Sequence, residues 1–338
     1  TAIACGGPGA IFWMWIAAFF GMATIFVEAV LAQIYKTKDD KGHSVGGPAY
    51  YISKGLGSKA LAGFFAVTII LALGFIGNMV QANSIADSFY TAFGIPPFVI
   101  GLLVAAFVGF IFLGGVSRLA YTTEKMVPLM AVLYIIGAVI VMVIHIDQLI
   151  PAFKMIFVGA FDPMAATGGV IGASIKEAMR YGVARGLFSN EAGMGSTPHA
   201  HAIAKVKYPA QQGLVAIIGV FFDTFVVLNM TAFVILMTGA LGTDPNAVPQ
   251  GIALTQKAFT IGLGPLGSTF VAVCLFFFAG STILSWSFFG EQNIKYLFGT
   301  KAVRPYKLVI IVFLVLGSVL KVDLVWNLAD FFNGIMVL

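Results

Sequence analysis

The chain has 338 residues, of which 59% are apolar and 10% charged, and its mean hydropathy is +0.98. Soluble domains carry about 25% charged residues, so the composition excludes an ordinary soluble domain. The net charge of +5 gives no nucleic-acid signal, because the basic residues collect in particular loops. The two cysteines, Cys5 and Cys274, lie in apolar surroundings, which disfavours a disulfide framework or a zinc knuckle. We predict an all-α polytopic membrane protein, with residues 1–338 forming a single transmembrane domain in a lipid bilayer.

Apolar runs long enough to cross a hydrocarbon core of roughly 30 Å recur along the chain. The first follows Pro8 and Gly9, a favoured helix start, and contains Glu28, for which a structural role is expected. A short interfacial helix is expected around Tyr50 and Tyr51. We predict about nine spans, one of them broken, at 10–35, 59–90, 97–115, 128–146, 168–204, 211–241, 264–293, 307–320 and 324–338. Residues 116–126 are predicted to be a basic loop, with Pro128 opening the span that follows.

The second span changes from apolar to polar near its middle. Asn78, Gln81 and either Ser84 or Ser88 recur at helical spacing and share a face, and Asn83 lies close by. Polar faces of membrane helices turn toward other helices or toward a cavity. Two readings follow: these groups contact a solute, or they form hydrogen bonds between helices.

Residues 168–204 are the membrane-scale stretch that is not simply apolar. They combine six polar or charged side chains with seven glycines, namely Lys176, Glu177, Arg180, Arg185, Asn190 and Glu191 with Gly168, Gly169, Gly172, Gly182, Gly186, Gly193 and Gly195. Irregular backbone at membrane depth is tolerated only inside protein or beside a water-filled cavity. The pattern predicts a broken helix whose gap, near Gly186 to Gly195, lines a solute site. The alternative is a re-entrant loop that seals the bundle.

Lysine and arginine counts predict the orientation. Loops 36–59, 116–126, 196–210 and 294–307 hold thirteen basic residues, whereas the opposite loops hold Lys154, Lys257 and Lys321. The first set is therefore expected in the cytoplasm.

A faint internal repeat links 77–94 with 285–299, since both run from apolar helix through glutamine and asparagine to tyrosine, phenylalanine and glycine. Their opposite directions fit an inverted-topology repeat.

Several other polar groups lie in apolar spans. Asp223 and Asp330 could relay a proton or cation, or could pair with Arg180 or Arg185. His199 and His201 are expected to be exposed at the cytoplasmic exit, and their spacing disfavours a shared metal. The sequence has no phosphate loop, dinucleotide fingerprint or zinc-protease helix, and no nucleophile–base pair was identified. We therefore predict that the protein is not an enzyme.

Solute-binding chemistry is concentrated in two places. Gly186, Phe188, Ser189 and Asn190 combine close backbone approach, an apolar wall and polar groups. The 264–293 span adds hydroxyls at 281, 282 and 285 and the aromatic Trp286 at membrane depth. Serine and threonine in membrane helices most often bond their own backbone, so hydroxyls alone are weak support.

Four long motifs resemble the alanine or glycine:cation symporter family. They are GGPGAIFWMWIAAFFGMATIFVEAVLA, GGPAYYISKGLG, GNMVQANSIA and RGLFSNEAGMGSTPHAHAIA, and the similarity runs along essentially the whole chain. The resemblance implies a LeuT-type fold of two inverted five-helix repeats that imports small neutral amino acids with sodium. By it, residues 1–164 are the remainder of the first repeat and 165–338 the second, with the last helix incomplete. It also implies a fragment that lacks two upstream helices and is not expected to transport by itself.

These observations together predict the site and the activity. The expected substrate-binding residues are Gly186, Phe188, Ser189, Asn190, Trp286, Gln81 and Asn83. Ser281 and Thr282 fall where such a fold places sodium-binding hydroxyls, with Na⁺ as coupling ion and no other cofactor. The predicted function is sodium-coupled import of alanine or glycine across the plasma membrane by alternating access. A proton-coupled permease using Asp223 or Glu191 is the alternative, and a channel or membrane scaffold is a further one.

Overall fold

A computed structural model describes residues 1–40, 42–161, 175–242 and 248–337. Almost every element in this part of the chain is a helix, and one two-stranded antiparallel sheet pairs β1 (Thr37–Lys38) with β2 (Ser44–Val45). The α-helices are, in chain order, α1 (Ala2–Gly6), α2 (Ala10–Tyr35), α3 (Pro48–Gly55), α4 (Lys59–Ile69), α5 (Asn78–Phe93), α6 (Pro97–Leu113), α7 (Gly115–Ile144), α8 (Leu149–Phe161), α9 (Ile175–Asn190), α10 (Pro198–Ile203), α11 (Pro209–Phe221), α12 (Asn229–Met237), α13 (Ile252–Leu263), α14 (Leu266–Phe298), α15 (Val303–Val319) and α16 (Val322–Val337).

Within these ranges, six helical segments are long and apolar enough to cross a membrane. They are Ala10–Tyr35, Lys59–Phe93, Gly115–Ile144, Pro209–Met237, Leu266–Phe298 and Thr300–Val319. A shorter apolar helix, α6, matches the expected span at 97–115. Large apolar side chains such as Phe19, Phe20 and Ile218 face outward, as in a protein surrounded by lipid. The all-helical, polytopic membrane architecture is therefore confirmed, and the nine spans and the inverted repeats stay predictions.

The predicted loop at 116–126 is wrong. These residues belong to α7, which runs through Pro128 without ending. The sequence alone suggested a break because proline removes a backbone donor and crowds the preceding turn. Here the helix continues through the proline, as membrane helices often do where neighbouring groups compensate for the lost bond. The expected interfacial helix near Tyr50 and Tyr51 is present as α3.

Two membrane-length segments contain a wide π turn. The first, Ile70–Gly77, joins α4 to α5, and the second, Phe222–Leu228, joins α11 to α12. Each is followed directly by an asparagine whose side-chain amide donates to the carbonyl four residues earlier. Asn78 bonds the Gly74 oxygen at 2.9 Å, and Asn229 bonds the Phe225 oxygen at 3.0 Å. The amide thus satisfies a carbonyl at the turn, which lipid could not do.

The helices pack as two connected groups. In one, α2 lies between α9 and α11; in the other, α14 packs on α5 and α13 while α15 packs on α5 and α6. The segments that share the faint repeat, in α5 and α14, contact each other, and the Asn78 side chain donates to the Ser287 hydroxyl at 3.1 Å. The polar half of the second span therefore packs against α14 and α15 rather than toward lipid.

Candidate functional site

The predicted helix break is present, but it lies later than expected. The helix α9 ends at Asn190 and α10 begins at Pro198. Glu191, Gly193 and Gly195 between them have φ angles of 56°, 88° and 72°, which turn the chain in the left-handed region. Gly186 is not in the gap, because it is a buried residue inside α9 facing Met14 of α2. The glycines at 168, 169 and 172 lie outside the described residues.

The backbone amides freed by this break are bonded by side chains. Both oxygens of Glu28, from α2, accept hydrogen bonds: one from the Gly193 amide at 3.3 Å and one from the Gly195 amide at 3.2 Å. The Asn190 side-chain oxygen accepts from the Ala192 amide at 3.1 Å. The expectation that Glu28 has a structural partner is therefore confirmed. The Glu28 side chain from α2 therefore stabilises the backbone conformation of the gap.

Two predicted site residues connect α9 to the second π turn. The Ser189 hydroxyl donates to Asp223 at 2.8 Å, and the Asn190 side-chain amide donates to the Thr224 hydroxyl at 3.2 Å. Adjacent residues at the end of one helix thus bind adjacent residues of a neighbouring segment. Thr224 carries no sequence signal that would have singled it out, because an isolated threonine in an apolar span is common.

Phe188 and Trp286 meet as the predicted aromatic wall. Their rings lie 5.4 Å apart at 83°, an edge-to-face pair. The Trp286 indole N–H donates to Glu191 at 2.6 Å, and Gly77 packs where a side chain would overlap the indole ring. Trp286 is 2% exposed, so Phe188 and the break together cover it. The contact between Glu191 and Trp286 was not expected from the sequence.

The predicted cation hydroxyls lie on one turn of α14. Ser281 and Thr282 both donate to the Phe278 carbonyl, at 2.9 Å and 3.0 Å. Each oxygen keeps acceptor capacity after that bond, which is the capacity a sodium ion needs. The described residues contain no group of three or more His, Cys, Asp or Glu that could hold a metal ion.

The α5 residues differ from one another. The Asn83 amide donates to the carbonyls of Gly317 and Leu320, at 2.9 Å and 2.8 Å, and so ties α5 to the end of α15. Both of its hydrogens are used within the protein, which is the interhelical alternative. Gln81 is half-buried on the same helix. Substrate contact by either residue stays a prediction.

The expectation that His199 and His201 are exposed is wrong. His199 is fully buried: its Nδ1 lies 2.7 Å from the Ser196 carbonyl and its Nε2 lies 2.8 Å from the Asn293 amide. Nδ1 of His201 lies 2.7 Å from the Gln212 side-chain oxygen, and burial lowers the pKa of His201. Polar residues near a predicted loop suggested solvent, but α10 packs against α2 and α14. The two histidines therefore hold α10, the second half of the broken helix, against α14 and α11.

The first half of the broken helix, α9, is held by an ion pair with α16. Arg185 binds both oxygens of Asp330 from α16, one of them at 2.9 Å, and its guanidinium lies 4.6 Å from the Trp326 ring centre. This is the structural-partner alternative for Asp330. Two cavities, of about 210 Å³ and about 720 Å³, both contact Arg185 and Phe188. The role of Trp326 was not anticipated, because its partner is distant in sequence.

Comparison with known proteins gives consistent matches. Residues 1–338 match the sodium:alanine symporter family. The sodium/alanine symporter AgcS of Methanococcus maripaludis is 43% identical over 342 residues, covering 100% of this chain and 74% of that protein. The putative sodium/proton-dependent alanine carrier protein YrbD of Bacillus subtilis is 44% identical over 351 residues, covering 100% and 72%. The probable sodium/glutamine symporter GlnT of the same bacterium is 44% identical over 338 residues, covering 100% and 69%.

Proposed function

We propose that this chain, which belongs to the sodium:alanine symporter family, acts in the sodium-coupled import of a small neutral amino acid, alanine or glycine. The family is one of transporters rather than enzymes, and its name gives sodium as the ion. The chain is an integral multi-pass membrane protein, and we place it in the plasma membrane. Residues 1–164 and 165–338 would form the two inverted repeats between which the solute site lies.

The observation that carries this proposal is the break at residues 191–197. A broken helix in a membrane exposes backbone amides and carbonyls that can bind a charged solute or a cation. The residues that begin this break, Ser189 and Asn190, are hydrogen-bonded to the second π turn, and Phe188 and Trp286 form an apolar wall beside them. A zwitterionic solute with a small side chain needs this combination of polar and apolar groups.

Ser281 and Thr282 are assigned to the coupling ion. Their oxygens lie on α14, the helix that also carries Trp286, so cation binding and the solute wall would share one element. A cation drives transport only if it binds one conformation more tightly than another. In this scheme sodium stabilises the outward-open state, the amino acid then binds at the midplane, and joint occupancy permits closure and inward release.

The test is uptake of radiolabelled alanine by the full-length protein in liposomes, with and without an inward sodium gradient. Sodium-dependent accumulation is expected, and the double substitution of Ser281→Ala with Thr282→Ala should raise the sodium concentration for half-maximal uptake at least tenfold. Folding should change little, because both hydroxyls bond only their own helix backbone, apart from a weak contact of Ser281 with Met130 sulfur. A matched control is Thr123→Ala on α7, whose hydroxyl also bonds its own helix.

A second candidate is a proton-coupled permease. It is favoured by two carboxyl groups near the end of α9: Glu191, which begins the break and accepts from Trp286, and Asp223 of the second π turn, which accepts from Ser189. Uptake that follows a proton gradient and ignores sodium would replace the sodium proposal with this one. Flux that does not saturate with alanine would instead indicate a channel.

A further inference from the structure

Glu191 occupies a conformation that its residue type disfavours. Among residues 1–40, 42–161, 175–242 and 248–337 it is the one non-glycine with a positive φ angle, at 56°. Glycine or asparagine would adopt this left-handed conformation at lower cost. Strained backbone of this kind persists where the surroundings impose it, commonly at functional sites. The glutamate side chain must therefore supply something that glycine could not.

The side chain supplies an acceptor to a buried indole. One carboxylate oxygen of Glu191 accepts from the Trp286 indole nitrogen at 2.6 Å, across 95 residues of sequence. A buried tryptophan needs a partner for its single donor, and an ionised or neutral carboxyl group provides a strong one. The bond joins the start of the helix break to α14.

The rest of the indole is confined by packing alone. Phe188 meets one side of the ring edge-to-face at 5.4 Å, and Gly77 leaves no room for a Cβ atom beside the indole Cε3 and Cζ3. These apolar contacts limit the position of the ring, but they do not engage its N–H donor. The hydrogen bond to Glu191 is the directional restraint.

We propose that Glu191 is a positioning residue that holds the Trp286 indole as the size-limiting wall of the solute site. The inference rests on the proposed function and deepens it, since it names what restricts the solute to a small side chain. It also links conformation to binding, because any change in the backbone at the break moves the acceptor and releases the wall. In this proposal, Glu191 needs an acceptor oxygen for the indole N–H, and it does not need a negative charge.

The experiment separates acceptor from charge with two substitutions. Glu191→Gln keeps a side-chain oxygen for the indole N–H and removes the charge, whereas Glu191→Met removes both. Glu124→Gln and Glu124→Met are matched controls, because Glu124 is an exposed acid on α7. Sodium-driven alanine uptake by the full-length protein gives KM and maximal rate, and competition by leucine reports the size limit.

We expect Glu191→Met to raise the KM for alanine about tenfold, the effect of losing one buried hydrogen bond. The same variant should let leucine compete more effectively relative to alanine, by a similar factor, while the maximal rate falls less. Glu191→Gln should restore most of both properties. In a Trp286→Phe background, which lacks the indole N–H, Glu191→Met should have little further effect.

Equal loss in the Gln and Met variants would overturn the proposal, because charge would then be the required property. Unchanged selectivity in Glu191→Met would also overturn it. Tryptophan fluorescence provides a test independent of transport: Glu191→Met should shift the emission in a protein that contains Trp286 and not in the Trp286→Phe background. That shift, found in a protein without sodium-dependent uptake, would retain the positioning role while the proposed function failed. Absence of the shift would remove the role itself.

Discussion

The break at residues 191–197 and the π turns at Ile70–Gly77 and Phe222–Leu228 solve the same problem in different ways. Each frees backbone polar groups that need a bonding partner within the protein where lipid or apolar side chains surround them. At the π turns, an asparagine four residues on bonds the carbonyl. At the break, the main partner is Glu28, which lies 165 residues away from Gly193 in sequence.

This difference between local and distant partners indicates which segment would respond to helix movement. A local side chain moves with the turn that it bonds, so a π turn keeps its bond whenever its helix moves as a body. The break depends on a carboxylate from α2 and on an indole contact with α14. Displacement of either helix therefore changes the break, as a site that couples solute binding to helix movement requires.

The largest effect is expected for Glu28→Ala. The substitution leaves the amides of Gly193 and Gly195 without their acceptors, and each buried unpaired donor costs about 1–3 kcal/mol. We expect a loss of about 4 kcal/mol in the free energy of unfolding, for two such donors, and no measurable uptake. Unfolding in detergent measures the change in stability, and uptake into liposomes measures the change in transport.

Glu28→Gln should recover part of the loss, because its amide oxygen can accept one of the two bonds. Glu124→Ala, on the exposed face of α7, is the control for removing an acid. Equal stability of the Glu28→Ala and Glu124→Ala proteins would contradict the assignment of the break to side-chain partners.

An intermediate effect is expected for Gly195→Ala. Gly195 has a φ of 72°, and an added Cβ would lie 2.7 Å from the Phe65 ring. Left-handed backbone costs an alanine about 1–2 kcal/mol, and the overlap adds a similar amount. Gly239→Ala is the matched control, because Gly239 has a φ of 65° and open space for a Cβ.

Thermal midpoints of these two variants would measure the packing at the break alone. The Gly195 variant should unfold at the lower temperature. If both alanines cost the same, the break would be no more tightly packed than the turn at Gly239.

The smallest effect is expected at the first π turn. Asn78→Ala removes the bonds to the Gly74 carbonyl and the Ser287 hydroxyl, and should cost about 1–2 kcal/mol. Uptake should persist, because the bond that supports the turn, from Asn78 to the Gly74 carbonyl, lies within one segment and the bond to Ser287 is a single additional contact. Ser84→Ala is the control on the same helix. Loss of sodium dependence in Asn78→Ala with stability retained would show that the π turn also belongs to the transport site.

The elements were largely predictable because each depends on its own composition. Apolar runs of sufficient length predicted the long apolar helices found among the described residues, and the cluster of glycines with charged residues indicated a broken helix. The predicted gap, near Gly186 to Gly195, starts too early because Gly186 and Gly193 look alike in sequence. Gly186 permits close packing against Met14, whereas Gly193 turns the chain in the left-handed region.

Pairing across the bundle was decided by the tertiary structure. The sequence indicated Ser189, Asn190, Phe188 and Trp286 as site residues, and all four lie at or beside the break. Nothing local to Glu191 indicated that it bonds Trp286, nor that His199 is buried against Asn293. A polar residue in an apolar helix must find a partner, and the sequence alone determines that need. Which partner it finds depends on the helix that packs opposite, and only the packed bundle fixes that.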